Sequence, residues 1–317
     1  MQIEFNNKTS IEKFYCKKWT YKETSKLKKF LKKNNFPDYR INRIIWTLFQ
    51  SPIKKGIFVS ILESSNLVAF SYVIPRNFIL NKKKYKFIET GEHFTNAKYR
   101  KKGLFDKILK NSLTYRDSIR GFITTPNLSS RRAYEKLGYK IFDRNQNRFL
   151  TYDPKKNKIK NNYYKNIKEL RRDEYFKITK NFRRLNEMNK KYFDWRFGNP
   201  EIKYHFYEIF INEKLFYCAF RLGLPSPDKR PQVNVIAEAF FNESKPKLID
   251  MISIIDVINN LHKIFTPTTF IADIESHSTK WMGSRGVNIK GYWLFYKNLK
   301  KASLDLNSYQ LSDSDYG

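Results

Sequence analysis

Cysteine is nearly missing from these 317 residues: Cys16 and Cys218 stand far apart and form no Cys-x-x-Cys pair. This points to a reducing compartment and argues against structural zinc. Histidine is almost as scarce, and His93, His205, His262 and His277 lack metal-ligand spacing, so they read as ordinary polar or core residues and no metal is expected. No stretch approaches the ~20 apolar residues that cross a bilayer. Met1 to Lys8 contain no apolar segment of signal-peptide length, so a cytoplasmic protein is expected. Acidic residues are also in deficit, 30 against 62 Lys and Arg, for a formal charge of +32. Such an excess often marks nucleic-acid or membrane binding. Here lysine is spread along the chain and rises together with Asn, Ile, Phe and Tyr, the pattern of an AT-rich coding sequence. A nucleic-acid partner is therefore not expected. An anionic small molecule suits the charge better, and peripheral contact with an anionic membrane stays open.

The most informative stretch that is present runs from Thr95 to Phe105, Thr-Asn-Ala-Lys-Tyr-Arg-Lys-Lys-Gly-Leu-Phe. Before it, Tyr85 to Thr95 is rich in β-branched and aromatic residues and predicts a strand. After it, Leu104, Ile108, Leu109 and Leu113 recur at helical spacing. The first turn of a helix has N–H groups without intrahelical acceptors, and its dipole places partial positive charge there. A diphosphate satisfies both. Arg100, Lys101 and Lys102 add counter-charge, and Gly103, without a Cβ, lets phosphates approach the main chain.

Further along, Arg120 to Thr125 predicts a second strand and Pro126-Asn127 a turn. Ser129 to Tyr139 predicts a short helix with serine N-cap candidates and a Gly138 stop. Upstream, residues 20 to 50 carry two helix candidates split at Phe36-Pro37-Asp38. Ile57–Leu62 and Leu67–Ile74 form a hairpin signal, with a second turn at Asn81–Lys84. This succession resembles the GNAT N-acetyltransferase superfamily over residues 57 to 142. The family's Arg-x-x-Gly-x-Gly/Ala turn, which binds the pyrophosphate of acetyl-CoA, matches Arg100 to Phe105, with Phe105 in place of the last small residue and Ala97 in place of the usual proline before the turn. The Gly-Leu-Phe form looks like the variant of GNAT proteins linked to sugar modification.

From Asp153 the polar run Pro-Lys-Lys-Asn-Lys-Ile-Lys-Asn-Asn predicts a connection between domains. A second α/β rhythm follows. It has strands near 204–211, 215–222 and 233–241, a long helix over 247–265 with Leu248, Ile252, Ile255, Ile258 and Leu261 at 3-4 spacing, then a strand at 269–274, a short helix at 278–284 and a strand at 292–296. This order again resembles a GNAT fold, but Asn242 to Lys247 lacks the pyrophosphate motif. Trp195-Arg196-Phe197-Gly198-Asn199-Pro200 looks like a signature of two-domain GNAT proteins, as does the Asp-Ser-Asp ending. The expected class is α/β of the α+β kind, with tandem GNAT folds. Each has a mixed, mostly antiparallel central sheet flanked by helices, and the second copy is degenerate. The expected divisions are an acetyl-CoA domain over 1–152, a degenerate domain over 153–300, and a polar, acidic tail over 301–317.

The resemblance implies an acetyl-CoA-dependent N-acyltransferase with acetyl-CoA as cosubstrate and no metal. Tyr134 occupies the place of the family's proton donor. Glu89 or Glu92 would remove the amine's proton, since a bulge in that strand would let either face the acceptor. Such a base would need its pKa raised by burial. Backbone groups of Phe94, Thr95 and Asn96, the turn residues Arg100, Lys101, Lys102, Gly103, Leu104 and Phe105, and Asn127 would hold the cofactor. The expected acceptor is an amino group on an amino sugar, nucleotide-linked and used for surface polysaccharide. Tyr72, Arg76, Trp195, Arg196 and Tyr204 are candidates for sugar stacking or phosphate pairing. A tRNA-dependent aminoacyltransferase acting on a cell-wall precursor, and a non-catalytic CoA-binding scaffold, are the alternatives.

Overall fold

A computed structural model describes residues 3–5, 14–80, 82–112, 121–126, 128–141, 147–157, 165–182, 184, 187–223, 233–241, 244–263, 266–273, 279–289 and 295–298. They fall into two compact units, each built around its own sheet.

The first unit contains β1 (Ile3–Phe5), β2 (Phe14–Trp19), α1 (Thr24–Lys33), α2 (Asp38–Phe49), β3 (Ile57–Glu63), β4 (Asn66–Leu80), β5 (Lys83–Thr95), α3 (Leu104–Ser112), β6 (Gly121–Thr124), α4 (Leu128–Lys136) and β7 (Lys140–Ile141). α1 and α2 are amphipathic, and Pro37 stands at the N-cap of α2. Leu27, Leu31, Ile41, Ile44, Ile45 and Leu48 pack in one core with Phe58, Ile61, Phe70, Leu104 and Ile108. Burying such side chains contributes roughly 1.5–3 kcal/mol each against the entropy of ordering the chain. Leu113 and Arg120 lie outside the described residues.

The second unit contains β8 (Asn147–Asn157), β9 (Lys165–Leu170), α5 (Arg172–Thr179), α6 (Lys190–Phe197), β10 (Tyr204–Ile211), β11 (Lys214–Arg221), β12 (Asn234–Phe241), α7 (Leu248–His262), β13 (Thr268–Asp273), α8 (Thr279–Ser284) and β14 (Arg285–Ile289). The predicted long helix is α7, buried along Leu248, Ile252, Ile255 and Ile258, though Leu261 is exposed. It ends at Lys263, which takes the left-handed conformation. β15 (Phe295–Asn298) is last in the chain.

The strand orders are β1-β2-β3-β4-β5-β6-β15-β7 and β14-β8-β13-β12-β11-β10-β9. Where the described residues give a register, pairing is antiparallel except for β5 with β6 and β12 with β13, giving the mixed, mostly antiparallel sheets expected. The domain boundaries differ from the expected ones. Residue 153 falls inside β8, which pairs with β13 and β14 in the second sheet, and the first unit runs to Lys140. β15, assigned by sequence to the second domain, lies in the first sheet between β6 and β7. Each half of the chain therefore gives one strand to the other's sheet. A bulge between Arg285 and Val287 sustains the β8–β14 pairing, and Gly286 sits there at φ +72°. A Cβ on Gly286 would lie 2.4 Å from the Asp153 carbonyl oxygen. The tail over 301–317 lies outside the described residues.

Candidate active site

β5 pairs with β4 along its whole length, but with β6 only through Phe87–Gly121, Ile88–Phe122 and Glu89–Ile123. Beyond Glu89, no strand among the described residues pairs with this side of β5, so the two parallel strands splay. A β-bulge lies in the unpaired part. Gly91 faces Tyr72 and Phe94 faces Phe70, leaving Glu92 and His93 opposite Ser71 alone. Glu92 carries the strain of this bulge at φ +23°.

Alternation around the bulge sends neighbouring side chains to opposite faces of the sheet. Glu92 meets α2, where Arg40 Nη2 donates to Oε2 at 3.2 Å and Arg43 Nη2 donates to Oε1. Burial pushes the Glu92 carboxyl up, but the Arg43 and Arg40 guanidiniums outweigh it and hold the group below the usual range. The expectation of a base with raised pKa is thus reversed at Glu92. Glu89 is 2% exposed and accepts a hydrogen bond from Arg76 Nε at 2.7 Å, so the second candidate base is locked in a buried ion pair. That pair also removes Arg76 from the acceptor candidates. Tyr72, Trp195, Arg196 and Tyr204 are buried as well.

On the opposite face His93 reaches α3 and α4. Its ring lies edge-on to Phe105 at 5.3 Å and to Tyr134 at 5.6 Å. Tyr134 is fully buried, and its hydroxyl hydrogen-bonds to Thr90 Oγ1 at 3.2 Å and to His93 Nε2. Burial pushes the His93 imidazole down to about 3, against the opposing pull of the Glu92 charge, so the ring is neutral at neutral pH. Two buried polar side-chain atoms on this stretch, His93 Nδ1 and Thr95 Oγ1, have no hydrogen-bond partner among the described residues.

After Thr95, Asn96 accepts from Lys98 N at 3.2 Å and caps a single 3₁₀ turn over Ala97–Tyr99. Arg100, Lys101, Lys102 and Gly103 are exposed, and Lys101 and Gly103 have φ of +67° and +70°. Lys107 N donates to Gly103 O, so Gly103 opens α3 and the next N–H groups lie in its unpaired first turn. Among the described residues a Cβ on Gly103 would meet nothing within 4 Å, so the space beside Gly103 is open. Leu104 is buried and Phe94 stacks on Phe70 at 5.6 Å, so both offer main-chain groups alone. The Phe105 ring, at the position where a small residue was expected, turns toward His93 and Tyr134. Asn127 lies outside the described residues.

These residues fit acetyl-CoA. An open, basic helix start suits the diphosphate, an unpaired strand edge suits an amide-bearing arm, and the His93 ring, with its orphaned Nδ1, lies against a buried tyrosine hydroxyl. Among the described residues no group of three or more His, Cys, Asp or Glu could hold a metal ion, and no helix is long and apolar enough to cross a membrane. Sequence reasoning missed His93, Thr90, Arg40 and Arg43. His93 shares an alternation set with Thr95, and only the bulge shows which of its neighbours turns away.

No protein-family model and no curated protein matches the chain. Solved structures do. A putative acetyltransferase from Pyrococcus horikoshii superposes with a TM-score of 0.57 at 7% identity, over 99% of this chain and 96% of its own. A tandem GNAT protein from the clavulanic acid biosynthesis pathway gives 0.56 at 7% identity, over 92% and 100%. A GCN5-related N-acetyltransferase from Anabaena variabilis gives 0.53 at 12% identity, over 90% and 73%. At these identities the likeness is one of fold: the chain has the GNAT fold in its tandem form.

Proposed function

We propose that the protein is an acetyl-CoA-dependent N-acetyltransferase whose active site lies in the first unit. The observation that carries this reading is the splay of β5 from β6 beside the buried Tyr134 hydroxyl and the open turn at Arg100 to Gly103. Acetyl-CoA, when bound, supplies an acetyl group activated as a thioester.

The first N–H groups of α3, with Arg100, Lys101 and Lys102, bind the diphosphate. The unpaired edge of β5 binds the pantetheine amides as an added strand would. Tyr134 would deliver its proton to the departing thiolate as the C–S bond breaks, and the proton lost by the attacking amine nitrogen, passed through solvent, would restore its hydroxyl. Glu89 takes no part in proton removal because Arg76 holds it. Glu92 is also held, by Arg40 and Arg43, and these three groups carry a net positive charge on the side of α2, one of the two helices before the sheet that, by the resemblance to GNAT proteins, shape the acceptor side. An acceptor with its own negative charge, such as a nucleotide-linked amino sugar, suits that site better than a polycationic amine. The same proposal places the protein in the cytoplasm, in the formation of a surface polysaccharide.

The test is calorimetry with acetyl-CoA, followed by a thiol-release assay over nucleotide-linked amino sugars. Binding with turnover on an anionic amino sugar supports the reading. Failure of acetyl-CoA to bind overturns it.

A further inference from the structure

We propose that His93 is a hydrogen-bond donor to the acyl carbonyl oxygen, with its Nδ1–H proton held in place by Tyr134 on the other ring nitrogen. This inference rests on the reading of the site as an acyl-CoA site. It assigns a role to a residue that is neither the tyrosine donor nor a carboxylate.

Three observations meet at this ring. Neutral imidazole has one N–H and one bare nitrogen, and the hydrogen bond made by one nitrogen fixes the state of the other. Thr90 Oγ1 lies 3.2 Å from the Tyr134 hydroxyl and can donate to it, which turns the phenolic O–H toward His93 Nε2. Nε2 is then the bare nitrogen and Nδ1 carries the proton. Yet Nδ1 is buried without a partner among the described residues. A buried N–H with no acceptor costs about 1–3 kcal/mol, a penalty that a ligand oxygen would remove. The position of the ring selects the ligand atom. His93 sits on the unpaired stretch of β5, beside Phe105 in the first turn of α3 and against the Tyr134 hydroxyl. A chain running from the α3 start along β5 toward the tyrosine brings its thioester to this point. Thr95 Oγ1, also buried without a partner among the described residues, lies two residues nearer the helix start on the same face and suits an amide of the same arm. Tyr134 holds Nε2 while charge develops on the carbonyl oxygen and gives up its own proton only as the C–S bond breaks, and the Nδ1 proton stays on His93. It stabilises negative charge on oxygen and is not transferred, which a ring this reluctant to accept a second proton is suited to do.

Two acyl-CoA analogues that cannot react separate the outcomes. Acetyl-dethia-CoA replaces sulfur by methylene and keeps the carbonyl, whereas S-ethyl-CoA keeps sulfur and lacks the carbonyl oxygen. Calorimetry should show the ketone bound about two- to tenfold more tightly by the wild type, the range of one neutral hydrogen bond. That preference should vanish in His93→Phe. In the unmodified protein, ¹⁵N NMR should show His93 protonated at Nδ1 and bare at Nε2, with the Nδ1 signal moved by the ketone and not by S-ethyl-CoA. If both analogues bind equally in wild type, or NMR finds Nε2 protonated, the role of His93 is overturned while the acyl-CoA site stands. If neither analogue binds, the functional reading itself fails.

Discussion

Burial keeps the His93 imidazole neutral, and this has a consequence for stability that needs no ligand. Its folded-state pKa, about 3, lies below the ordinary 6.5, so below pH 6.5 the unfolded chain binds a proton that the folded chain refuses. Stability should therefore fall as pH drops from 6.5 toward 3, with a slope approaching ~1.4 kcal/mol per unit from this one group. Glu92, with its pKa lowered, loses stability in the same direction but within the carboxylate range. Urea unfolding of His93→Gln should be flatter than wild type between pH 6.5 and 5, above the range of the carboxylates. An unchanged slope would mean that the ring is hydrated. Tyr134→Phe keeps the packed ring and loses the hydroxyl shared with Thr90 and His93. Turnover should drop by about 10²–10⁴ while acetyl-CoA affinity holds within a few-fold, measured by steady-state kinetics beside calorimetry. Full activity in this variant would remove Tyr134 as proton donor. At this scale the sequence was legible in where a motif stands in the fold, with Tyr134 on α4 and Gly103 at the start of α3. It was illegible where a partner distant in the chain decides. Nothing local to Glu89 or Glu92 shows that Arg76, Arg40 and Arg43 will claim them.

Among the elements, the β4–β5 hairpin is the one on which the site is built. β3 pairs with β4 as far as Val73, and among the described residues the stretch of β4 from Ile74 to Leu80 pairs with β5 alone. Within this part Phe78 stacks on Phe87 at 4.8 Å, and Arg76 reaches diagonally to Glu89. Arg76 and Glu89 are 1% and 2% exposed, so removing one partner leaves a buried charge. Arg76→Ala should cost about 3–5 kcal/mol by chemical denaturation, and the double change Arg76→Met with Glu89→Leu should recover much of that loss. A small cost for the single change would mean that water reaches the pair. At the other end of β5, Gly103 has a left-handed φ and open space before it. Gly103→Glu adds a carboxylate where an anion is expected, and by calorimetry should abolish acetyl-CoA binding. Helices α2, α3 and α7 were legible because their apolar faces repeat at helical spacing. β2 was not: Lys17 and Lys18 interrupt its apolar residues. The strand holds because Phe14, Cys16 and Trp19 are buried while Lys17 lies over the Trp19 ring at 3.6 Å.

For the whole molecule, the exchange of β8 and β15 matters more than the count of domains. The sequence suggested two consecutive folds because hydrophobic period identifies strands without naming their partners, and a polar, lysine-rich run after Asp153 reads as a connection. In the structure that run begins inside β8, whose register with β13 extends from Asn147 with Asp273 to Tyr152 with Thr268. The first sheet is completed by β15, which pairs with β6 from Phe295 with Thr124 to Asn298 with Gly121, and Lys297 Nζ donates to the Leu137 carbonyl at the end of α4. A fragment ending at residue 152 therefore lacks the strand that separates β6 from β7 and carries most of β8 without its partners. Unpaired strand edges of this kind promote aggregation. Residues 1–152 expressed alone should be insoluble or fail to bind acetyl-CoA, although every residue proposed for the cofactor lies within them. Fusing residues 290–300 to that fragment through a flexible linker should restore the missing strand and improve solubility. Adding the same segment with Phe295→Asp should not, since Phe295 is fully buried. Both outcomes are read by size-exclusion chromatography and by exchange protection of the β6 amides. A well-folded, acetyl-CoA-binding 1–152 fragment would show that the first sheet closes without the end of the chain.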